Sequence, residues 1–234
     1  MIDDTDLDRE MAEFEQQSKA ALAKESSAPT AEQGTPAWLQ ERVGHCTASR
    51  FRDVMDFTKG GKPSAKREAY KLELVIERIT GQPTEHFVSK PMMDGIEREP
   101  MAKMAYERRT GAMLQSSGFR HHKTIKWVGG SPDALLDGGG LECKCPTPPT
   151  HIKTILDGMD DEHMPQVQGL IWLFDEKWWD FESFCPIFDE PLRTYIQRIP
   201  RNDDYLAELV ANIGIFLGEV DALHKAVIAK QRAA

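Results

Sequence analysis

The sequence has no hydrophobic run long enough to cross a membrane. No stretch approaches the ~18 consecutive apolar residues of a spanning helix, and the first residues are too acidic and polar for a signal peptide. Cysteine is also scarce. Four cysteines in 234 residues are too few for a disulfide framework, so we expect reduced thiols. These absences predict a cytoplasmic protein.

The chain also lacks the surplus of positive charge that is typical of nucleic-acid-binding proteins, since its formal net charge is −9. Much of the deficit lies at one end, because residues 1–33 carry a net charge of −6. A divalent-metal site also requires clustered carboxylates, which count against the total until the ions bind. Net charge therefore does not exclude a nucleic-acid partner.

Composition divides the chain into two parts and shows no internal repeat. Residues 1–35 are predicted to be an acidic N-terminal arm, helical or disordered, and the alternative is a docking arm for a partner or another subunit. Residues 36–234 are predicted to be a single domain.

Capping and glycine signals place the secondary structure of this domain. The order of elements indicates an α/β domain whose central mixed sheet is flanked by α-helices. Helices are predicted at 37–43, 48–55, 65–80, 91–109, 150–156, 163–174 and from 203 onward, and strands at 112–117, 124–128, 133–136, 141–145, 178–185 and 194–199.

The most informative stretch runs from Gly130 to Pro146 and reads GSPDALLDGGGLECKCP. Asp133 precedes one strand, a glycine turn reverses the chain, and Glu142 and Lys144 lie on the next strand. Strand side chains alternate between faces, so Glu142 and Lys144 point one way and the cysteines at 143 and 145 point the other way. The hairpin can bring Asp133 beside Glu142, and two carboxylates are suited to Mg²⁺.

Two other interpretations of this stretch remain open. The hairpin could be a surface hairpin with a Glu–Lys pair, because Glu-x-Lys alone is a weak signal. Cys143 and Cys145 together with His151 could suggest zinc, but the Cys-x-Cys spacing is unusual for zinc and no second pair exists. Packed cysteines are favoured.

These residues resemble the PD-(D/E)xK nucleases, and in particular the bacteriophage lambda exonuclease (YqaJ-type viral recombinase) group. Three more blocks carry the resemblance: AWLQERVG with TAS at 37–49, GIEREPMA at 95–102, and MPQVQ at 164–168. It covers the chain from about Pro36 onward. It implies a restriction-endonuclease-like core and a single exonuclease domain over residues 36–234.

The resemblance also implies a role for individual residues. Asp133, Glu142 and the Cys143 backbone carbonyl would hold two Mg²⁺ ions, which Mn²⁺ can replace at oxygen ligands. Glu99 would be an accessory acid acting through water, and Lys144 would orient the attacking water. The pocket for a terminal 5′-phosphate would consist of Arg42, Ser49, Ser131 and Gln166.

The activity implied is 5′–3′ digestion of one strand of linear double-stranded DNA in the bacterial host cell. It would leave 3′ overhangs for recombination with a single-strand annealing protein, and the enzyme would be a homotrimeric ring. The alternatives are an endonuclease or nickase on the same fold, and a non-catalytic DNA-binding scaffold. Met92 or Met93 is the candidate wedge between the strands, although the alternative, a core methionine, is favoured.

Structural alternatives also remain for the other implied residues. Arg42 could pair with Glu41, and Ser49 could cap a helix. Glu99 could lie on a solvated helix face. Gln166 could hold two helices together, and Ser131 could shape the turn before Pro132.

Overall fold

Two mixed β-sheets and the helices around them form the described part of the protein, residues 31–85 and 87–232, in the computed structural model. The smaller sheet has the order β1-β3-β2, with β1 parallel and β2 antiparallel to β3. The larger has the order β4-β5-β6-β7, in which only β5 and β6 are parallel. The strands are β1 (Cys46–Thr47), β2 (Arg120–His121), β3 (Val128–Gly130), β4 (Ala134–Leu136), β5 (Gly139–Lys144), β6 (Trp178–Phe184) and β7 (Thr194–Pro200).

The helices begin and end at the signals that the sequence contains. Thr35 caps the first helix by accepting from the Trp38 backbone N–H, and Ser64 caps the third through Arg67 N–H at 3.1 Å. Gly81 ends that helix with a φ of 67°, which favours glycine. The helices are α1 (Pro36–Arg42), α2 (Phe51–Val54), α3 (Ala65–Thr80), α4 (Lys90–Thr110), α5 (Pro148–Asp157), α6 (Met164–Phe174) and α7 (Asp203–Arg232), with 3₁₀ turns at Ala48–Arg50 and Asp161–His163.

The larger sheet lies between two helices. On one face, α6 packs through Val167, Leu170 and Ile171 into a core that also contains Phe181 of β6 and much of α3 and α7. On the other face, α4 packs Tyr106 and its alanines against Leu141 and Cys143 of β5. The predicted fold class, an α/β domain with a mixed sheet flanked by helices, is confirmed, but the strands are divided between two sheets instead of forming one central sheet.

Two predicted strands are wrong. Residues 112–117 contribute only an isolated bridge between Gln115 and Leu135. Within 124–128, only Val128 belongs to a strand, because the chain turns there and Trp127 has a φ of 67°. The partner of β3 is instead Arg120–His121, which the sequence did not predict.

The predicted acidic arm lies outside the described residues from its start to Thr30. None of the helices in the described part of the chain is long and apolar enough to span a bilayer.

Candidate active site

The β4–β5 hairpin brings the three central residues of the predicted site together. Ala134 pairs with Leu141, so Asp133 lies opposite Glu142 at the open end of the hairpin. The Cys143 backbone N–H donates to Asp133 Oδ2 at 2.7 Å, which fixes the position of that carboxylate. Lys144 Nζ donates to Glu142 Oε1 at 2.5 Å, so these two side chains share a face of β5.

The charges of this cluster perturb one another. Loss of water around Asp133, together with the nearby Glu142 and Glu99, holds the pKa of Asp133 well above its usual range. Burial lowers the pKa of Lys144, but attraction to Glu142 and Asp133 outweighs it, and the net pKa lies above the ordinary value. Lys144 is therefore a stable cation, and Asp133 is a carboxylate that a further positive charge would help to ionise.

Glu142 has an oxygen with no protein partner. Its side chain is 2% exposed; Oε1 accepts from Lys144 and Gln166, but Oε2 is buried without a hydrogen bond. A buried carboxylate oxygen without a partner is costly unless a cation binds it. Residues 31–85 and 87–232 contain no group of three His, Cys, Asp or Glu side chains placed to hold a metal ion. The two carboxylates fit a hard divalent cation that takes its remaining ligands from main chain, water or substrate.

Glu99 reaches the cluster from α4, on the other side of the hairpin. Its carboxylate forms an ion pair, at 2.6 Å, with the Nζ of Lys103, which lies one turn further along α4. Burial lowers the pKa of Lys103, but Glu99 and Asp133 raise it, and the net shift is upward. Lys103 therefore adds a second cation to the cluster, which the sequence analysis did not assign.

Arg42 lies in a second group of residues, together with side chains from two other segments of the chain. Its Nη2 donates to Ser49 Oγ at 3.3 Å, and its guanidinium carbon lies 4.2 Å from the centre of the Trp38 ring. Trp38 Nε1 donates in turn to Ser131 Oγ at 2.8 Å. In the described part of the chain no carboxylate lies within ion-pair distance of Arg42, and the alternative pair with Glu41 is absent. An arginine without a carboxylate partner is suited to bind an anion.

Gln166 forms hydrogen bonds with both members of the charged pair on β5. Its Nε2 donates to Glu142 Oε1 at 2.6 Å, and its Oε1 accepts from Lys144 Nζ at 3.4 Å. Gln166 is the third residue of α6, so this helix supports the charged pair on β5. In this structure, Gln166 contacts that pair rather than Arg42 or Ser49.

One cleft of about 500 Å³ contains all of these groups except Lys103. Its lining includes every site residue predicted from the sequence. These residues are Arg42, Ser49, Glu99, Ser131, Asp133, Glu142, Cys143, Lys144 and Gln166.

The cleft also contains residues to which the sequence analysis gave no role. Trp38 belongs to the same sequence block as Arg42 and could have been found there. Glu162 and His163 line the cleft just before α6, and no sequence signal marked Glu162. Met92 lines the cleft as well and is 54% exposed, which excludes the core-methionine alternative for that residue.

The chain belongs to the YqaJ-like viral recombinase domain family, whose model matches residues 37–175. This range contains every residue of the predicted site. No curated protein matches the chain at a significant level.

Solved structures share the fold. An alkaline exonuclease, LHK-Exo from Laribacter hongkongensis, is 34% identical with a TM-score of 0.79, over 85% of this chain and 99% of that one. LHK-Exo in complex with dAMP gives 35% identity and a TM-score of 0.78, over 85% and 99%. A phage related exonuclease from Haemophilus somnus 129PT is 15% identical, with a TM-score of 0.60 over 80% of this chain and 96% of that one, and is similar in fold alone.

Proposed function

We propose that the protein is a Mg²⁺-dependent 5′–3′ exonuclease that digests one strand of linear double-stranded DNA and leaves 3′ overhangs. The observation that carries the proposal is the single cleft in which Asp133, Glu142 and Lys144 lie with Arg42 and Ser49. Hydrolysis requires the two carboxylates and the lysine, and recognition of a terminal phosphate requires the arginine and the serine. The similarity to a protein described as an alkaline exonuclease supports the same activity.

Asp133, Glu142 and the Cys143 carbonyl would hold two Mg²⁺ ions. When bound, these ions would activate water and stabilise negative charge on the phosphate. The unpartnered Oε2 of Glu142 and the raised pKa of Asp133 support a cation at this position. Mn²⁺ would also be accepted at such oxygen ligands.

The protein side chains have distinct tasks in this mechanism. Lys144 lies beside Glu142, where its ammonium group orients the attacking water and balances charge on the phosphate. Glu99 acts on the metal region through water. The guanidinium of Arg42, with the hydroxyl groups of Ser49 and Ser131, binds the 5′-phosphate. Gln166 lines the same cleft and holds Glu142 and Lys144 in place.

The proposal also includes partners. The 3′ strand would pass to a single-strand annealing protein, and three copies of the enzyme would form a ring around the duplex in the cytoplasm of a bacterial host cell. A ring can concentrate positive charge in its channel while its exterior stays acidic, which is compatible with the net charge of −9.

The test is a strand-labelled digestion of linear duplex DNA in Mg²⁺, with 5′-phosphate and 5′-hydroxyl ends compared and a closed circle included. We expect loss of the 5′-phosphorylated strand, an intact circle and no cleavage in EDTA. Cutting of the circle would make the protein an endonuclease or nickase. Binding without any cleavage would support the non-catalytic scaffold.

Arg42→Ala provides the control for end recognition. Loss of a charge-assisted contact to phosphate should remove most of the preference for 5′-phosphate over 5′-hydroxyl ends, with a loss of about tenfold or more. An unchanged preference would exclude Arg42 from the phosphate pocket.

A further inference from the structure

An exposed ion pair crosses the edge of the cleft between two segments that are far apart in the sequence. Arg52 of α2 and Glu162 of the second 3₁₀ turn are 110 positions apart, and Arg52 Nη1 lies 3.2 Å from Glu162 Oε2. Their side chains are 53% and 56% exposed. Neither residue has a role in the proposed mechanism.

The pair lies directly beside the proposed catalytic residues. Arg52 and Glu162 line a small cavity of about 190 Å³ together with Ser49, Lys144 and Gln166. Glu162 also lines the main cleft, and Ser49, Lys144 and Gln166 are common to both cavities. The guanidinium of Arg52 therefore lies in a cavity that shares Ser49 with the proposed phosphate pocket and Lys144 with the proposed catalytic cluster.

Arg52 is weakly held in this position. An ion pair between two exposed side chains contributes little stability. The second carboxylate near Arg52 is Asp53, whose Oδ1 is 3.9 Å away, and Asp53 already accepts a shorter bond from Arg50. A phosphate can offer the same guanidinium two parallel hydrogen bonds, so exchange of Glu162 for phosphate would cost little.

We propose that Arg52 binds a backbone phosphate of the DNA substrate, and that Glu162 forms an ion pair with Arg52 until DNA displaces the Glu162 carboxylate. This inference rests on the proposed function, because it requires DNA in the cleft. Glu162 is then a competitor of the substrate. A salt bridge that only ties α2 to the 3₁₀ turn would contribute to the fold and would not compete with DNA.

The two interpretations predict different signs for the two substitutions. If Arg52 binds phosphate, Arg52→Ala weakens DNA binding and Glu162→Gln strengthens it. If the pair is only structural, both substitutions lower the melting temperature and neither strengthens binding. Gln keeps the size of Glu162 and removes its charge, so it is preferable to Ala.

The experiment measures binding of a short duplex with 5′-phosphate ends, in EDTA to prevent cleavage, at several salt concentrations. For Arg52→Ala we expect a Kd about tenfold higher and a salt slope smaller in magnitude by about 0.9. For Glu162→Gln we expect a Kd about two- to fivefold lower, because a competing carboxylate is lost. Digestion in Mg²⁺ should show a raised KM for Arg52→Ala with a similar kcat.

Arg201→Ala is the matched control. Arg201 also pairs with an exposed acid, Asp203, at 2.7 Å. Arg201 directly follows the last residue of β7, which pairs with Trp178 of β6. Trp178 in turn pairs with Gly139, at the opposite end of β5 from Lys144. This control should leave both the Kd and the salt slope unchanged.

The outcomes separate the two proposals. Wild-type protein that neither binds nor digests DNA contradicts the proposed function. Wild-type protein that digests DNA, with an unchanged Kd and salt slope in Arg52→Ala, overturns only the role of Arg52. Weaker binding in both variants, with lowered melting temperatures, also overturns it and leaves the ion pair as a structural tie.

Discussion

At the scale of single residues, three acids and two bases from the β4–β5 hairpin and α4 form one cluster. Asp133, Glu142 and Glu99 are balanced only in part by Lys144 and Lys103. The raised pKa of Asp133 reflects this excess of negative charge. A divalent cation would relieve it, and for this reason the same cluster is both a source of instability and the proposed catalytic centre.

Substitutions in this cluster should separate catalysis from binding. Asp133→Asn, Glu142→Gln and Lys144→Ala should each lower the rate of DNA cleavage by about 10³-fold or more, while the Kd for DNA in EDTA stays close to wild type. Asp137→Asn is the matched control, since Asp137 is an exposed acid in the turn of the same hairpin. Wild-type activity in any of the first three variants would contradict the mechanism.

The residues of the site differ in how far the sequence could predict them. Asp133 and Glu142 meet through a short hairpin, so local alternation and a glycine turn were sufficient. The bond from Trp38 to Ser131 spans 93 positions, and only the packing of distant segments creates it. The contacts of Gln166 with Glu142 and Lys144 depend in the same way on how α6 packs against β5.

At the scale of elements, glycines at the start of β5 let two tryptophans of β6 lie against the strand. A Cβ on Gly140 would lie 2.2 Å from Trp179, and a Cβ on Gly139 would lie 2.5 Å from Trp178. Since β5 carries Glu142 and Lys144, this packing also supports the site. The glycine-rich sequence predicts only a turn, because the partner rings are 39 positions away in the sequence.

Gly140→Ala should therefore destabilise the protein. Overpacking in a core typically costs about 1–3 kcal/mol, and Trp179 is fully buried. Gly214→Ala is the control, since Gly214 lies in α7 with nothing within 4 Å of an added Cβ; there the free energy of unfolding should rise by about 0.5–1 kcal/mol. Urea denaturation of both variants measures the difference. Equal effects at the two positions would contradict the packing argument.

The strand beside β5 contains a buried acid whose titration should affect stability. Burial raises the pKa of Glu182 to about 7, although bonding to the Cys143 thiol opposes the shift. A carboxyl group whose pKa is raised on folding stabilises the folded state at pH values below its pKa in the unfolded chain, near 4.5. This stabilisation is lost as the pH rises to the folded-state pKa of about 7.

Glu182→Gln should remove the loss of stability that ionisation of Glu182 causes as the pH rises. Between about pH 4.5 and 7, the wild type should lose up to about 3 kcal/mol of unfolding free energy relative to the variant. The wild-type minus variant difference isolates this group from His45 and His163, whose lowered pKa values act in the opposite direction. A difference that does not change with pH would show that Glu182 does not titrate in this range.

The wrong strand prediction at residues 124–128 has a physical cause at the same scale. Residues 124–128 have the apolar, β-branched composition of a strand, but Trp127 adopts a positive φ and the chain turns. His45 packs against that ring at 5.0 Å between centroids, and Lys126 and Arg78 also lie over it. These tertiary contacts outweigh the local propensity.

At the scale of the whole molecule, metal binding should be measurable as thermal stability. Mg²⁺ at about a hundred times its Kd should add about 2–3 kcal/mol to the free energy of unfolding at about pH 8. The gain should be smaller at about pH 5. Asp133 has a raised pKa, so in the metal-free protein its protonation stabilises the fold at low pH, and protons then compete with the metal.

Melting curves in EDTA and in Mg²⁺ at both pH values test this expectation. Asp133→Asn should lose the shift caused by Mg²⁺, and Asp137→Asn should retain it. A shift of the same size in Asp133→Asn would place the metal elsewhere in the molecule.

The contact of Trp38 with Arg42 gives the protein an intrinsic optical signal. Of the five tryptophans in the sequence, Trp38 lines the cleft, with its ring 4.2 Å from the Arg42 guanidinium and its N–H bonded to Ser131. A phosphate drawn to Arg42 would change the electric field at the indole and therefore its emission wavelength and quantum yield. Arrival of a DNA end could then be timed by stopped-flow fluorescence, with no dye on either molecule.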